Sequence, residues 1–265
     1  FDDTPKGLLE NKNPAYLESY PVLVLEMLDG GDLFHRISKR SVVTEHFLAV
    51  SFLSAMRALQ SIHDRGYVHR DLKLDNIMCL QKTEPTDVKI IDFGMMKDIP
   101  FPQEMFQDDR VMGTDGYFSP ETLLRREYGY KSDVWQMGCI LYAMLAGHPP
   151  FHAEPKYRKY VAMGRYYPMT GPTWNNISED AKDLVARMLT VNAEDRINVG
   201  DILRHQWLVN ASAKQSDMDS SSVMSDQYSA RIKNLVLQSK FKRCFVDNSI
   251  ENDHIERKKS FKNEL

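Results

Sequence analysis

An α+β fold with more helix than strand is predicted by three observations: a helix-period apolar run across residues 44–64, strand-sized apolar runs between residues 67 and 91, and four helical patterns after residue 121. Residues 1–20 are polar and weakly patterned, and Pro21-Val22-Leu23-Val24-Leu25-Glu26 reads as a short buried strand. Asp29-Gly30-Gly31-Asp32 is a turn, with Asp32 placed to cap a helix carrying Leu33, Phe34 and Ile37. Between Thr44 and Asp64, Phe47, Leu48, Phe52, Met56, Leu59 and Ile62 form a face wide enough for a buried helix, and Gly66 supplies its stop. Strands are expected at Tyr67-Val68, residues 77–80 and residues 88–91, with the polar stretch 81–87 as a hairpin loop. Helices are expected at 132–146, 157–163, 179–189 and 199–207. Composition changes after Leu208: residues 211–226 hold six serines and almost no bulky apolar side chain, the signature of a flexible linker. The expected organisation is a remnant at 1–20, a folded body at 21–208, a Ser-rich linker at 209–227, a basic amphipathic segment at 228–250 and a polar tail at 251–265.

With 265 residues, 42% of them hydrophobic, the chain can bury a substantial core. A net charge of −3 argues against nucleic-acid binding. No apolar run approaches the roughly 18 residues of a membrane span. The three cysteines, Cys79, Cys139 and Cys244, form no CxxC pair and sit among apolar neighbours, which suits reduced thiols in the cytoplasm or nucleus. The chain starts at Phe1 with no signal-like segment, and its beginning is expected to be a cut or fragment boundary.

The chemistry-bearing residues form an ordered series. His69-Arg70-Asp71-Leu72-Lys73-Leu74-Asp75-Asn76 is followed by Asp92-Phe93-Gly94, Gly113-Thr114 and Ser119-Pro120-Glu121, then by Asp133-Val134-Trp135, Gly147-His148-Pro149-Pro150-Phe151, Asp195-Arg196 and His205-Gln206-Trp207-Leu208. This series resembles the catalytic half of a protein kinase. The resemblance implies a protein-kinase-like fold, mainly the α-helical C-lobe with a hinge strand and a truncated N-lobe, acting on ATP with Mg²⁺. Asp71 then orients the substrate hydroxyl and accepts its proton, Lys73 reaches the γ-phosphate, Thr114 supports both Asp71 and the acceptor, and Asn76 with Asp92 holds the metal. Leu25, Glu26, Met27, Leu28, Asp32 and Met78 join Asp92 as nucleotide-facing positions, Leu25 as the gate. Glu121 and Arg196 are implied as a buried ion pair, and Asp133 as a brace for the His-Arg-Asp turn.

The Asp-Leu-Lys pattern and Thr114 resemble Ser/Thr-specific kinases. Asp32 and Asp75 match positions where basophilic kinases recognise an upstream Arg, although Asp32 as a simple helix cap and Asp75 as a solvent-facing acid fit the pattern equally. No Ser, Thr or Tyr lies between Met95 and Gly113, so phosphorylation cannot switch that stretch; Asp108-Asp109 are placed either to pair with Arg70 as a fixed imitation of phosphate or to form a solvated acidic loop. No glycine pair has G-x-G spacing, and no Val-Ala-x-Lys precedes Pro21. Two readings follow: a truncated active kinase, or a pseudokinase or regulatory scaffold.

Gly30-Gly31-Asp32-Leu33-Phe34 and residues 174–189 are similar to the calcium/calmodulin-dependent protein kinase group. Between Tyr228 and Val246 five Lys/Arg and no acid are interleaved with apolar residues, and Ile232, Val236, Phe241 and Phe245 fall at 1-5-10-14 spacing. Three readings stand for 228–246: calmodulin binding, autoinhibitory docking in the kinase cleft, and plain structural packing.

Overall fold

The computed structural model describes residues 24–82, 86–99, 103–213, 223–224 and 227–237. Its helices are α1 (Leu33–Ser38), α2 (Glu45–His63), α3 (Pro120–Arg125), α4 (Tyr130–Ala146), α5 (Arg158–Ala162), α6 (Glu179–Met188), α7 (Val199–Leu203), α8 (Gln206–Ala213) and a last helix, α9, over 227–237. Six short strands form three antiparallel pairs: β1 (Tyr67–Val68) with β4 (Lys97–Asp98), β2 (Ile77–Cys79) with β3 (Val88–Ile90), and β5 (Met105–Gln107) with β6 (Glu127–Gly129). This is the α-rich arrangement expected.

Helix starts follow local chemistry. Asp32 caps α1 by accepting from His35 N at 2.7 Å, and Thr44 caps α2 by accepting from Phe47 N at 3.2 Å. α2 and α4 form the centre: Leu48, Phe52, Met56 and Leu59 of α2 are fully buried, and α4 is buried from Ser132 to Ala146. α2 packs on β3, α4, α7 and α8, and α4 packs on α6. Glu45 at the start of α2 accepts from Ser178 N (2.9 Å) and Trp207 Nε1 (2.8 Å), so a buried carboxylate ties three helices together with its partners satisfied.

Three expectations are corrected. Residues 24–28 form no strand, and Val24, Leu25 and Met27 are exposed (89%, 67% and 90%). A strand needs a ladder partner, and among the described residues none pairs with 24–28. The helix expected at 199–207 is two helices, because Arg204 N and His205 N close tight turns onto Asp201 O and Ile202 O, which lets buried Ile202 and Trp207 both face the core. α8 then runs through Ala213, past the boundary expected at 208.

α9 packs on the folded body. Tyr228, Ile232 and Val236, one helical stripe, are buried; Tyr228 Oη donates to Met144 O at 2.6 Å, and Arg231 bonds Thr173 Oγ1. Just before it, Met224 N donates to Val43 O at 2.8 Å, and Val223 bridges Thr44. No helix among the described residues is long and apolar enough to cross a membrane.

Candidate active site

The loop between β1 and β2 carries the reactive groups, and α4 fixes its backbone. Buried Asp133 accepts from His69 N (2.8 Å), Arg70 N (2.9 Å) and the His63 ring (2.9 Å). Gln136, one turn on, donates to Arg70 O (2.8 Å) and accepts from Leu72 N (2.9 Å). Arg70 has φ 70°, a conformation costing roughly 1–2 kcal/mol outside glycine, and these side-chain bonds to its own N–H and C=O hold it there. The brace expected of Asp133 is present. Gln136 was not foreseen, although a polar residue three positions after Asp133, on the same face of an apolar helix, is the signal that could have found it.

On this frame Asp71, Lys73 and Thr114 form a closed triangle. Thr114 Oγ1 donates to Asp71 Oδ1 at 2.6 Å, Lys73 Nζ donates to Asp71 Oδ2 at 2.7 Å, and Lys73 Nζ lies 3.3 Å from Thr114 Oγ1. Each Asp71 oxygen spends one acceptor position on these bonds and keeps another for an incoming hydroxyl. Asn76 Nδ2 donates to Asp71 O at 2.9 Å, which turns its amide oxygen to the other side. Asn76 O accepts from Ile91 N (3.0 Å), continuing the β2–β3 ladder, and Asp92 is the next residue along the chain after this partner of Asn76. One neutral and one carboxylate oxygen donor fit a hard divalent cation such as Mg²⁺, with phosphate oxygens and water completing its shell. Among the described residues no group of three His, Cys, Asp or Glu offers a self-sufficient metal cage.

Gly113, at φ 120°, lets the segment bearing Thr114 cross the loop: a Cβ there would lie 2.9 Å from Arg70 O. Upstream, Arg70 Nη1 pairs with Asp108 Oδ2 at 2.7 Å, and its guanidinium lies 5.6 Å and 5.4 Å from the ring centres of Phe106 and Tyr128. Of the two readings for Asp108, pairing with Arg70 is the one present. Burial alone raises the Asp108 carboxyl, but the hydrogen bond and charge of Arg70, aided by the Arg110 N–H and Lys97, outweigh it and hold the carboxyl below its ordinary range. Downstream, Asp115 takes a bidentate pair from Arg158 (2.7 and 2.8 Å), a tether to α5 that the sequence did not suggest. Tyr117, also not foreseen, accepts from Leu74 N at 3.4 Å, and burial pushes its phenol far above the ordinary range.

Glu121 and Arg196 meet bidentately at 2.7 and 2.9 Å, both buried, with Arg196 also donating to Thr190 O, Lys131 O and Val191 O. The positions expected to face nucleotide are less assembled. Asp32 bridges Met78, so these two are adjacent, whereas Leu25, Glu26 and Met27 are exposed, Leu28 is half-buried, and Glu26 pairs with Lys89. Asp75 sits in the 3₁₀ turn Leu74–Asn76, half-buried. Phe241 and Phe245 lie outside the described residues. For Ile232 and Val236 the packing reading is the one present: α9 meets the C-terminal end of α4 at Met144, about 16 Å along that helix from Asp133, while 238–246 lie outside the described residues.

Against known families, the model of the protein kinase domain matches residues 8–208. The chain belongs to the protein kinase family. The kinase is 39% identical over 229 residues to a calcium and calcium/calmodulin-dependent serine/threonine-protein kinase of Oryza sativa subsp. japonica, a match covering 84% of this chain and 43% of that protein. It is 36% identical over 194 residues to the calcium/calmodulin-dependent protein kinase type II alpha chain of Drosophila melanogaster, covering 72% of this chain and 36% of that one. The kinase thus spans less than half the length of these relatives. Among solved structures, a twitchin kinase fragment of C. elegans, described as autoregulated, aligns with TM-score 0.69 and 26% identity over 82% of this chain and 47% of that chain.

Proposed function

We propose that the protein is a Ser/Thr protein kinase of the calcium/calmodulin-dependent type, transferring the γ-phosphoryl of ATP to Ser or Thr. The observation that carries this reading is the Asp71–Lys73–Thr114 triangle at 2.6–3.3 Å. Asp71 orients the acceptor hydroxyl and takes its proton, Lys73 supplies positive charge where the transferred group becomes more negative, and Thr114 holds both in register. Asn76 and Asp92 would hold Mg²⁺, which would supply neutralisation of the phosphate oxygens. A preference for an upstream Arg rests on Asp32 and Asp75, which match positions where basophilic kinases carry acids. Calmodulin capture of 228–246 requires α9 to leave its seat, since Ile232 and Val236 are buried. A cytoplasmic or nuclear location goes with the reduced-thiol reading. Burial pushes the Cys79 thiol up to about 11 and so keeps it protonated.

One observation favours a second reading as a scaffold: the 265 residues contain no G-x-G glycine pair and no Val-Ala-x-Lys to hold the donor's phosphates. The test is phosphoryl incorporation from Mg-ATP into Arg-x-x-Ser and Arg-x-x-Tyr peptides by the chain and its Asp71→Asn variant, with Ca²⁺/calmodulin present or absent. Ser-specific incorporation lost in the variant supports the kinase. No incorporation, together with no shift in melting temperature on adding Mg-ATP, supports the scaffold.

A further inference from the structure

Between α4 and α6 an open groove of about 250 Å³ is walled by aromatic rings and prolines: Pro150, His152, Tyr157, Tyr160, Tyr167 and Pro168. Its rings form a continuous ladder. Tyr160 lies 6.1 Å from Tyr157 (centre to centre), Tyr157 stacks on His152 at 4.2 Å, His152 meets Tyr167 edge-on at 5.5 Å, and Tyr167 meets His148 edge-on at 5.5 Å. The ladder is held from behind. Tyr167 N donates to Pro150 O at 3.1 Å, and buried Tyr142 donates to Tyr167 O at 3.0 Å. A second depression, of about 370 Å³, shares Tyr167 and Pro168 and extends the trough past His148 and Trp174 to Arg231. Yet Tyr160 and Tyr167 remain 37% and 42% exposed, and neither ring belongs to the catalytic cluster.

The charge around the trough is mainly positive, with Lys156 paired to Glu154 and Arg158 to Asp115. Four Lys/Arg stand against one Glu between Phe151 and Pro168, in a chain whose net charge is −3. Among the described residues Lys159 and Arg165 make no ion pair. A cationic ligand, the usual guest of an aromatic cage, is disfavoured, because the ammonium groups of Lys156 and Lys159 already lie 5.0 Å and 5.2 Å from the centres of Tyr157 and Tyr160. Exposed, pre-ordered rings separated by shallow notches suit the pyrrolidine faces of a polyproline II segment, which has little conformational entropy left to lose. The basic rim selects acids beside those prolines.

We propose that this trough is a docking groove for an extended, proline-rich acidic segment of a partner protein. Binding there needs no phosphoryl transfer, so it is measured without nucleotide and stands or falls apart from the kinase reading. Fluorescein-labelled peptides of four Pro-Pro-Glu repeats, four Gly-Gly-Glu repeats and four Pro-Pro-Lys repeats are titrated with the full chain by fluorescence anisotropy. The Pro-Pro-Glu peptide is expected to bind at least about tenfold more tightly than either control. Tyr160→Ala and Lys159→Glu, both at exposed positions, are each expected to weaken it about fivefold or more with unchanged melting temperature, and Arg165→Glu provides an independent charge reversal if either variant misfolds. Equal affinity for the glycine peptide, preference for the lysine peptide, absence of saturable binding, or binding indifferent to these substitutions overturns the proposal.

Discussion

The catalytic loop and the hinge-side segment 24–28 are both short, irregular stretches of one kinase domain, and they are held in opposite ways. Around Asp71 the loop's backbone groups are claimed by buried side chains of α4, and its carboxylate is gripped by Lys73 and Thr114. Leu25 and Met27 lie open to solvent, and the segment's ion pair, Glu26–Lys89, joins two exposed side chains. Irregular backbone becomes rigid only where buried polar groups accept and donate to it; hydrophobic character alone, as in Val24-Leu25, gives no position. The Asp71 side of the proposed site is therefore pre-organised by the helical body, and the segment proposed to face nucleotide is not organised by the described residues.

The contrast can be broken most decisively at Asp71. Asp71→Asn keeps the shape and removes the proton acceptor, and the peptide phosphorylation rate is expected to fall by about 10²–10⁴. A loss below tenfold would mean that the triangle does not carry the chemistry. Next in size, Arg196→Met strands the buried Glu121 carboxylate and is expected to cost about 3–5 kcal/mol in urea denaturation, with Glu121→Leu in the same chain recovering most of it. Gly147→Ala probes the α9 seat: φ is 75° and the new Cβ would lie 2.8 Å from Arg231 Cβ, so about 1–2 kcal/mol is expected, with faster proteolysis near residue 231 as the readout.

Smaller again is the Arg70–Asp108 pair, where Asp108→Asn is expected to cost about 1 kcal/mol. Its carboxyl is held down in the folded state. The stabilisation is therefore complete above about pH 4, the unfolded carboxyl's range, and is lost as pH falls through the lower folded value. Comparing the pH dependence of stability for wild type and Asp108→Asn checks this, and a difference that instead vanishes between pH 6 and 7 would assign it to a histidine. The smallest effect sharpens the comparison from its open side. Leu25→Ala, at a residue 67% exposed, is expected to change stability by no more than about 0.5 kcal/mol.

Legibility in the sequence followed the range of the forces involved. The helix cap Asp32, the helical run that begins at Thr44 and the β2–β3 hairpin were readable, because each depends on neighbours a few residues away. Of the strand expected at residues 21–26, the described part, 24–26, is not strand, because an apolar run states a preference for burial without supplying the ladder that satisfies it. Asp115 and Tyr117 gave no signal, since their partners Arg158 and Leu74 each stand 43 residues away, and Gln136, 66 residues from Arg70, was marked only by its polarity on the helix face of Asp133. Ile232 and Val236 were found as a spaced apolar pair, and spacing could not say whether a partner's groove or the chain's own body receives them.

By itself, the sequence determined the kinase-like order of Asp71, Lys73, Asn76, Asp92, Thr114, Glu121 and Arg196, and the α-rich body that carries them, because residue identity and helical period are local properties. Only the tertiary structure decided that Asp71 is held from both oxygens, that Asp108 pairs with Arg70 instead of standing in a solvated acidic loop, that α9 lies on the far end of α4, and that the tyrosines and histidines of residues 148–167 line one trough. The bonds from Thr114 to Asp71, from Arg70 to Asp108 and from Tyr228 to Met144 join segments 43, 38 and 84 residues apart, fixed by burial of polar groups that must find complementary partners once water is removed.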